Sequence, residues 1–395
     1  MIDKVMADRP SVPALGLALL ITAGLWLWAW VLSTPTPVGR TLSFSLLAGA
    51  AFGVLLQRSR FCFFCITRDF VERRDARGLL GLLAALAVGT LGYHAVFGNF
   101  VPDAFSGRLP PDAHVGPVSS ILAFGATIFG MGMALSGSCI SAHLYRLGEG
   151  ALASPFALVG VLLGFIIGFL SWNTLYLYAV QDAPSIWLPA YLGYGGSLLL
   201  QLALLAALAW GLLHHARPAE PDPQTTPGQA IWRRRWPPYV GGVLIGALAV
   251  VSYLRVAPLG VTAELGSLSR TAADAAGWLP SRLYGLDGFS GCATAVKQAL
   301  LSNNGVFVIG LVLAAWASAL VAGDFQPKRP SLEQIWRNLA GGVLMGFGGM
   351  LALGCTVGTL LSGIMAGAAS GWVFGFFCLA GVLFGLKIKR AIGWM

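Results

Sequence analysis

The chain has 395 residues, of which 56% are hydrophobic and only 10% are charged; its mean hydropathy is +0.75. Soluble domains carry about 25% charged residues, so this composition excludes a water-soluble globular protein. The net charge of +9 does not indicate nucleic-acid binding, because the basic residues occur in short blocks between apolar segments, as in the cytoplasmic loops of membrane proteins.

Ten apolar segments are candidates to cross the hydrocarbon core of a bilayer, which takes about 20 residues in a helix. In chain order they lie at 12–33, 41–57, 78–98, 118–136, 151–172, 195–213, 239–255, 305–322, 338–353 and 371–386. The shorter ones are candidates for half-helices. The sequence therefore predicts an all-α polytopic membrane protein with about ten membrane segments.

Lysine and arginine predict the orientation of these segments. With the N-terminus in the cytoplasm, 19 of the 25 basic residues fall on the cytoplasmic side, as the positive-inside rule requires. Both termini are then cytoplasmic. The polar stretch 214–238 is rich in proline and arginine, and we interpret it as a cytoplasmic linker between a first transmembrane repeat, 1–213, and a second, 239–395.

The first motif, QRSRFCFFCITRDF, lies at the cytoplasmic edge of the second segment. Arg60 and Arg68 flank Cys62 and Cys65, and Asp69 could neutralise Arg68. An alternative interpretation is that these arginines are anchors at the membrane surface. The Cys-x-x-Cys spacing suggests a redox pair or a zinc site. Zinc takes four ligands, however, and the sequence has no second cysteine pair to complete such a site. We expect no metal and no cofactor.

The second motif occurs twice, as FGATIFGMGMALSGSCISAHLYRLGEG (124–150) and GGVLMGFGGMLALGCTVGTLLSGIMAG (341–367). Aligning Cys139 with Cys355 also aligns three glycines in each copy. The two copies run in opposite directions across the membrane, which predicts two inverted repeats. Such folds place their site at the repeat interface, near the membrane midplane, on discontinuous helices.

A weaker similarity aligns Phe61-Cys62 with Gly291-Cys292. Cys378 lies within an apolar run, and we interpret it as a packing residue. Cysteine is a small apolar residue that is commonly buried, and for a single cysteine packing is the better interpretation. Two cysteines at matching positions of a repeat, each beside a helix break, favour function.

The helix breaks suggest a chemical role for these cysteines. If Ile140 and Thr356 begin half-helices, Cys139 and Cys355 stand at helix N-termini, next to Ser138 in the first copy. Free backbone N–H groups and the helix dipole favour an anion there. A thiol, with its weak donor and polarizable sulfur, suits a soft sulfur anion. We expect the two thiols to meet inside the membrane, where an anion can contact both.

These motifs together resemble the YeeE/YedE family of sulfur-transport membrane proteins. The resemblance implies an hourglass-shaped bacterial inner-membrane protein with re-entrant half-helices that takes up thiosulfate, and thiols that relay the ion by S–H···S hydrogen bonds. By motif, the relay cysteines are Cys62, Cys139 and Cys355. The resemblance also implies a small cytoplasmic sulfurtransferase as a partner. The predicted substrate-binding residues are Cys62, Cys65, Cys139, Cys292, Cys355, Arg60, Arg68, Ser138 and Thr356.

Two departures from the family pattern leave alternatives open. Cys65 replaces a small non-cysteine residue, which is compatible with a disulfide or a different substrate. The segment 255–290 is longer than its counterpart, and we interpret it as an external cap. Selenium compounds are an alternative substrate class within the same family. The alternative from another class is a membrane thiol–disulfide oxidoreductase that uses Cys62 and Cys65.

Overall fold

The computed structural model describes residues 12–217, 231–286, 294–297, 299, 301–391 and 393. These residues form helices and short connections, and this described part contains no β-strand beyond two isolated bridges. Helices are the expected solution, because a chain in lipid must satisfy its backbone N–H and C=O groups internally.

The helices, in chain order, are α1 Val12–Leu32, α2 Pro37–Ser59, α3 Phe63–Arg73, α4 Arg77–Phe100, α5 Ser120–Ser136, α6 Ile140–Gly148, α7 Ser154–Leu175, α8 Pro189–His215, α9 Pro238–Arg255, α10 Thr262–Ala275, α11 Asn303–Ala322, α12 Leu332–Leu351, α13 Thr356–Met365 and α14 Ala369–Ala391. The first seven residues of α13 are π-helical.

Within the described residues, nine helical segments are long and apolar enough to cross a membrane, and the bent pair α12–α13 makes a tenth. All ten predicted segments coincide with these. Helices α3 and α6 extend the spans of α2 and α5 beyond a break, and α13 leaves the axis of α12 by 42°. The all-α polytopic fold with about ten membrane segments is confirmed.

Eight of the helices form four parallel pairs. Helix α2 packs on α11, α4 on α9, α5 on α14, and α7 on α12. The direction follows from which residues meet: along α4 and α9, Gly81 lies against Gly242, and one turn further Ala85 lies against Gly246. The fifth major contact is antiparallel and joins α5 to α12 at the centre of the bundle.

This pairing is symmetric. One unit consists of α2–α3, α4, α5–α6 and α7; the other consists of α9–α10, α11, α12–α13 and α14. The first span of each unit packs on the second span of the other, the third packs on the fourth, and the two third spans meet. Two inverted repeats produce such an arrangement. Helices α1 and α8 lie outside both units and leave most of their surface exposed.

The structural counterpart of α3 is α10, which begins at Thr262. By this order the break before α3 at Cys62 corresponds to the break at Val261, whereas the sequence alignment of Cys62 with Cys292 stays a prediction. Cys292 lies outside the described residues. Part of the segment predicted as an external cap is α10, which packs against α7 inside the bundle.

Glycine allows the central helices to approach until their backbones touch. A Cβ atom at Gly346 of α12 would overlap the carbonyl oxygen of Val161 in α7 and lie 2.8 Å from its carbonyl carbon. In lipid no hydrophobic driving force brings helices together, so their association depends on close packing of this kind. The positions of α5, α7 and α12, which support the breaks, depend on these contacts.

We expect Gly346→Ala to lower the free energy of unfolding by about 1–3 kcal/mol, the usual cost of overpacking, because α7 and α12 must separate to admit the methyl group. Denaturation of the purified protein in detergent would measure the change. Gly24→Ala is the control, because a Cβ atom there meets nothing within 4 Å. Equal stability of both variants would contradict this account of the packing.

Candidate functional site: two clusters at the helix breaks

The break between α5 and α6 places a cysteine at the start of a helix. Gly137 ends α5 with a φ of 82°, a left-handed conformation that glycine adopts without strain. Cys139 then has extended backbone and is the N-cap residue of α6. The prediction that Cys139 stands at a helix N-terminus is confirmed.

The break between α2 and α3 is built in the same way. Arg60 ends α2 in the left-handed conformation, with a φ of 49°, and Cys62 is the extended N-cap residue of α3. Cys65 follows in the first turn of α3. The sequence could not show that this break faces the one at Cys139, because the two are separated by α3, α4 and the whole of α5.

Three thiols from these two breaks lie together. The side chain of Cys62 interacts with that of Cys139 and with that of Cys65. All three are buried and are free thiols. The structure thus brings together three of the predicted substrate-binding cysteines, including Cys65.

Arg146 supplies a positive charge to this group. Its Nη2 atom donates a hydrogen bond to the Cys65 sulfur at 3.3 Å, and its charge also acts on Cys62. Arg146 lies seven residues after Cys139, two turns along the same face of α6. Arg146 lies in the last turn of the span Ser120–Gly148, and an ionisable side chain within a membrane segment is a candidate functional residue. We call Cys62, Cys65, Cys139 and Arg146 the inner cluster.

Two buried polar atoms beside the inner cluster have no hydrogen-bond partner among the described residues. They are the Ser138 hydroxyl and the Nε2 atom of His143, whose Nδ1 atom lies 3.3 Å from the Ser154 hydroxyl. Burying a polar atom without a partner is unfavourable. Both atoms could bind a small polar guest next to Cys139.

A cavity of about 420 Å³ at one end of the bundle reaches Arg146 of the inner cluster, and none of the three cysteines is among the residues that line it. Its lining is mostly polar and includes Ser136, His143, Arg146, Glu149, Lys328 and Arg337. We call this end of the bundle, where α2, α5 and α11 finish and α12 begins, the basic end. A charged solute can therefore approach Arg146 through a polar cavity.

The break between α12 and α13 carries the remaining predicted cysteine. Leu353 and Gly354 both have positive φ, 53° and 153°, and Cys355 is the N-cap residue of α13. The backbone N–H of Val357 donates to the Cys355 sulfur at 3.4 Å. The prediction that Cys355 stands at a helix N-terminus is confirmed.

Cys355 lies close to Thr262, the first residue of α10, whose buried hydroxyl has no hydrogen-bond partner among the described residues. The contact resembles the one between Cys139 and Cys62, but Thr262 is one residue past the N-cap position, which Val261 occupies. We call Cys355, Thr262 and Thr359 the outer cluster. The Thr359 hydroxyl lies 3.1 Å from Nε2 of His114, and burial lowers the pKa of His114 to about 4, so that its imidazole is neutral at pH 7.

The two clusters lie at opposite ends of the α5–α12 contact. Gly341 packs at Ser136, next to the inner break, whereas Gly125 packs against Ala352, next to the outer break. Eleven residues of α5 separate these points, roughly 17 Å at 1.5 Å per residue. Cys139 and Cys355 are therefore not direct neighbours, contrary to our expectation, because antiparallel helices carry equivalent breaks to opposite ends.

The other predicted substrate-binding residues have different surroundings. Arg60 is exposed beside the inner cluster. Arg68 forms an ion pair of 2.8 Å with Asp69 and lies 3.9 Å from Glu72, so its charge is largely balanced. Thr356 is buried next to Cys355.

Sequence reasoning missed Arg146 and Thr262. The seven-residue spacing from Cys139 could have identified Arg146. Thr262 had no sequence signal, because nothing near it resembles the motif around Cys62. In the part of the chain that the structure describes, no group of three or more histidine, cysteine or acidic side chains is arranged to hold a metal ion.

A carboxylate pair lies beside the polar cavity. The amide nitrogen of Gln57 donates to Glu149 at 3.3 Å and to Asp324 at 3.0 Å. Burial raises the pKa of Glu149, and the charge of Asp324 adds to this, while Arg60 and Arg146 act in the opposite direction. Glu149 lies in the connection between α6 and α7, so it can exchange protons with water at the basic end.

The chain is similar to a known protein family and to named transporters. The family model for sulphur transport matches residues 58–384. The thiosulfate transporter TsuA of Spirochaeta thermophila is 27% identical over 357 residues, 85% of this chain and 95% of that protein. TsuA of Escherichia coli is 27% identical over 363 residues, covering 85% and 91%. The probable transporter YedE of Escherichia coli is 29% identical over 171 residues, covering 42% and 39%.

We expect Glu149→Gln to stabilise the protein near pH 7 and to lose that advantage as the pH falls. A carboxyl whose pKa is raised by folding destabilises the fold when ionised, and the penalty disappears as the pH falls through the folded pKa towards the unfolded value of about 4.3. Thermal unfolding of both proteins between about pH 7 and pH 5 measures this. Glu333→Gln, at an exposed carboxylate, is the control. A difference that does not change with pH would contradict the burial of Glu149.

Proposed function

We propose, from the premise that this chain belongs to the sulphur transport family, that it carries thiosulfate or a closely related sulfur anion through a pathway lined by cysteines. Membership of the family and similarity to named transporters make the protein a sulfur-anion transporter and not an enzyme. The thiosulfate specificity and the pathway are our proposal.

The inner cluster is the observation that supports this proposal most strongly. Three free thiols and one guanidinium converge from two helix breaks, beside a buried hydroxyl without a partner. The guanidinium and the helix N-termini favour an anion, and the thiols favour its polarizable sulfur over the hard oxygens of sulfate. An anion with one terminal sulfur and a sulfonate group uses both kinds of contact.

The outer cluster would be a second binding site on this pathway. Cys355 and Thr262 offer a thiol and a hydroxyl at a helix N-terminus. Because it lies at the other end of the α5–α12 contact, an anion that leaves it moves along this contact to reach the inner cluster. Both clusters offer thiol contacts, which are weak, so the ion can leave the outer cluster, and the guanidinium of Arg146 attracts it towards the inner cluster.

The distribution of charge supports an orientation for this pathway. The basic end would face the cytoplasm of a bacterium, with both termini inside, as the positive-inside rule predicts. The outer cluster would then receive the anion and the inner cluster would deliver it through the polar cavity. A small cytoplasmic sulfurtransferase that binds at the basic end could accept it there. Residues 1–213 and 239–395 would contribute the two repeats, joined by the linker 214–238.

We expect Cys139→Ala and Cys355→Ala each to reduce uptake of labelled thiosulfate by proteoliposomes to the level of empty liposomes. Either change removes the thiol from one cluster and interrupts the pathway, while the methyl group retains packing. Selenite, sulfite and sulfate are tested as competitors in the same assay, and sulfate should compete least.

Cys378→Ala is the matched control, since Cys378 is equally buried but lies within α14. Its uptake should equal that of the wild type. Undiminished uptake by both cluster variants would reject the cysteine pathway. Competition by sulfate as strong as that by thiosulfate itself would reject the role of soft sulfur contacts, and preference for selenite would support the selenium alternative.

We expect Arg146→Lys to raise the KM for thiosulfate and Arg146→Met to abolish uptake. Lysine keeps the charge but loses the planar set of donors that guanidinium offers to an oxyanion and to the Cys65 sulfur. Arg68→Gln should transport normally, because Asp69 and Glu72 already balance that charge. If Arg68→Gln impaired uptake as much as Arg146→Met, general surface charge would explain both results.

A further inference from the structure

An apolar groove runs along the outside of the bundle, away from the cysteines. It lies between α1, α2, α11 and the residues just before α9, and it encloses about 610 Å³. Its lining is almost entirely apolar and includes Leu25, Trp26, Leu47, Val54, Trp232 and Ala314. Helix α1 forms one wall and is among the most exposed spans of the protein, so the groove is open to the surrounding lipid.

One charged residue lines this apolar groove. Arg58, in the last turn of α2, is only 3% exposed. Its Nη2 atom donates to the backbone carbonyl of Arg234. Its Nε and Nη1 atoms have no hydrogen-bond partner among the described residues.

Among the described residues, no carboxylate contacts this guanidinium directly. The acidic residue that acts on Arg58 is Asp324, but no ion pair joins them within 4 Å in the described part of the chain. Asp324 instead accepts from Gln57 at 3.0 Å and lies 3.9 Å from Arg235. Arg58 therefore retains two buried donors that an external anion could satisfy.

The occupant must combine an anionic group with a long apolar part. A guanidinium binds phosphate and carboxylate groups through its N–H donors, phosphate is the anionic group of membrane phospholipids, and the groove beside it accommodates hydrocarbon. We propose that this groove binds an anionic phospholipid, with its phosphate at Arg58 and an acyl chain along α1, α2 and α11.

The position of Arg58 fits the depth of a lipid headgroup. It lies at the basic end, where Trp232 and Trp236 also line the groove. Tryptophan is enriched at the level of the headgroups, and basic residues near that surface attract anionic lipids. The site contains no cysteine and does not include Arg146, so the argument for it does not rest on the proposed function.

The experiment uses the purified full-length protein, stripped of lipid in detergent. Phosphatidylglycerol, phosphatidylcholine, inorganic phosphate and thiosulfate are each titrated, with thermal stability and native mass spectrometry as readouts. We expect phosphatidylglycerol to bind and stabilise the protein, phosphatidylcholine to bind more weakly, and the two free anions to have no effect of comparable size.

Two variants test the two halves of the site. Arg58→Gln should weaken binding of phosphatidylglycerol by about tenfold or more, as expected for losing charge-assisted hydrogen bonds, and should remove the preference over phosphatidylcholine. Ala51→Trp fills the groove from an exposed position. It should weaken the binding of both lipids while leaving Arg58 in place. It also keeps the proposal testable if Arg58→Gln does not fold.

Arg73→Gln is the control, because this exposed arginine lies at the same end of the bundle but outside the groove. It should bind lipid like the wild type. Three results would overturn the proposal: equal affinity for the two lipids, stabilisation by inorganic phosphate or thiosulfate as strong as that by phosphatidylglycerol, or unchanged lipid binding by Ala51→Trp. An equal loss of lipid binding in Arg73→Gln would mean that general surface charge causes the effect.

Discussion

The structure depends on one constraint: a backbone inside a membrane must satisfy its own polar groups, and it can leave the helical pattern only where protein shields it. Within the described residues, four spans continue past a break into a shorter helix, and the N-cap residue at each break is buried. At a break, N–H groups that would bond within a longer helix become available at the start of the next one. The breaks thus provide anion-binding groups where lipid-facing helices offer none, and cysteines are the N-cap residues at three of the four.

Close packing determines where these breaks lie relative to one another. Helices α5 and α12 meet backbone to backbone through glycine and run antiparallel. Equivalent breaks at their C-terminal ends therefore point to opposite sides of the bundle. The symmetric pairing accordingly gives two clusters and not one central site.

The two clusters share a plan but differ in chemistry. In each, the N-cap residue of one half-helix contacts the start of another: Cys139 with Cys62, and Cys355 with Thr262. Only the inner cluster also has a guanidinium, from Arg146. The pairing of the helices is thus nearly symmetric, whereas the side chains at the two breaks are not, and the buried positive charge belongs to the inner cluster alone among the two.

The sequence by itself determined the all-helical membrane fold, the positions of its ten segments, and the helix N-termini at Cys139 and Cys355, because hydropathy and glycine–cysteine motifs are local properties of the chain. The tertiary structure alone decided which breaks meet. It placed Cys65 and Arg146 beside Cys62 and Cys139, separated Cys355 from them, and paired it with Thr262. These contacts arise from the parallel and antiparallel packing of helices far apart in sequence, a geometry that no local pattern specifies.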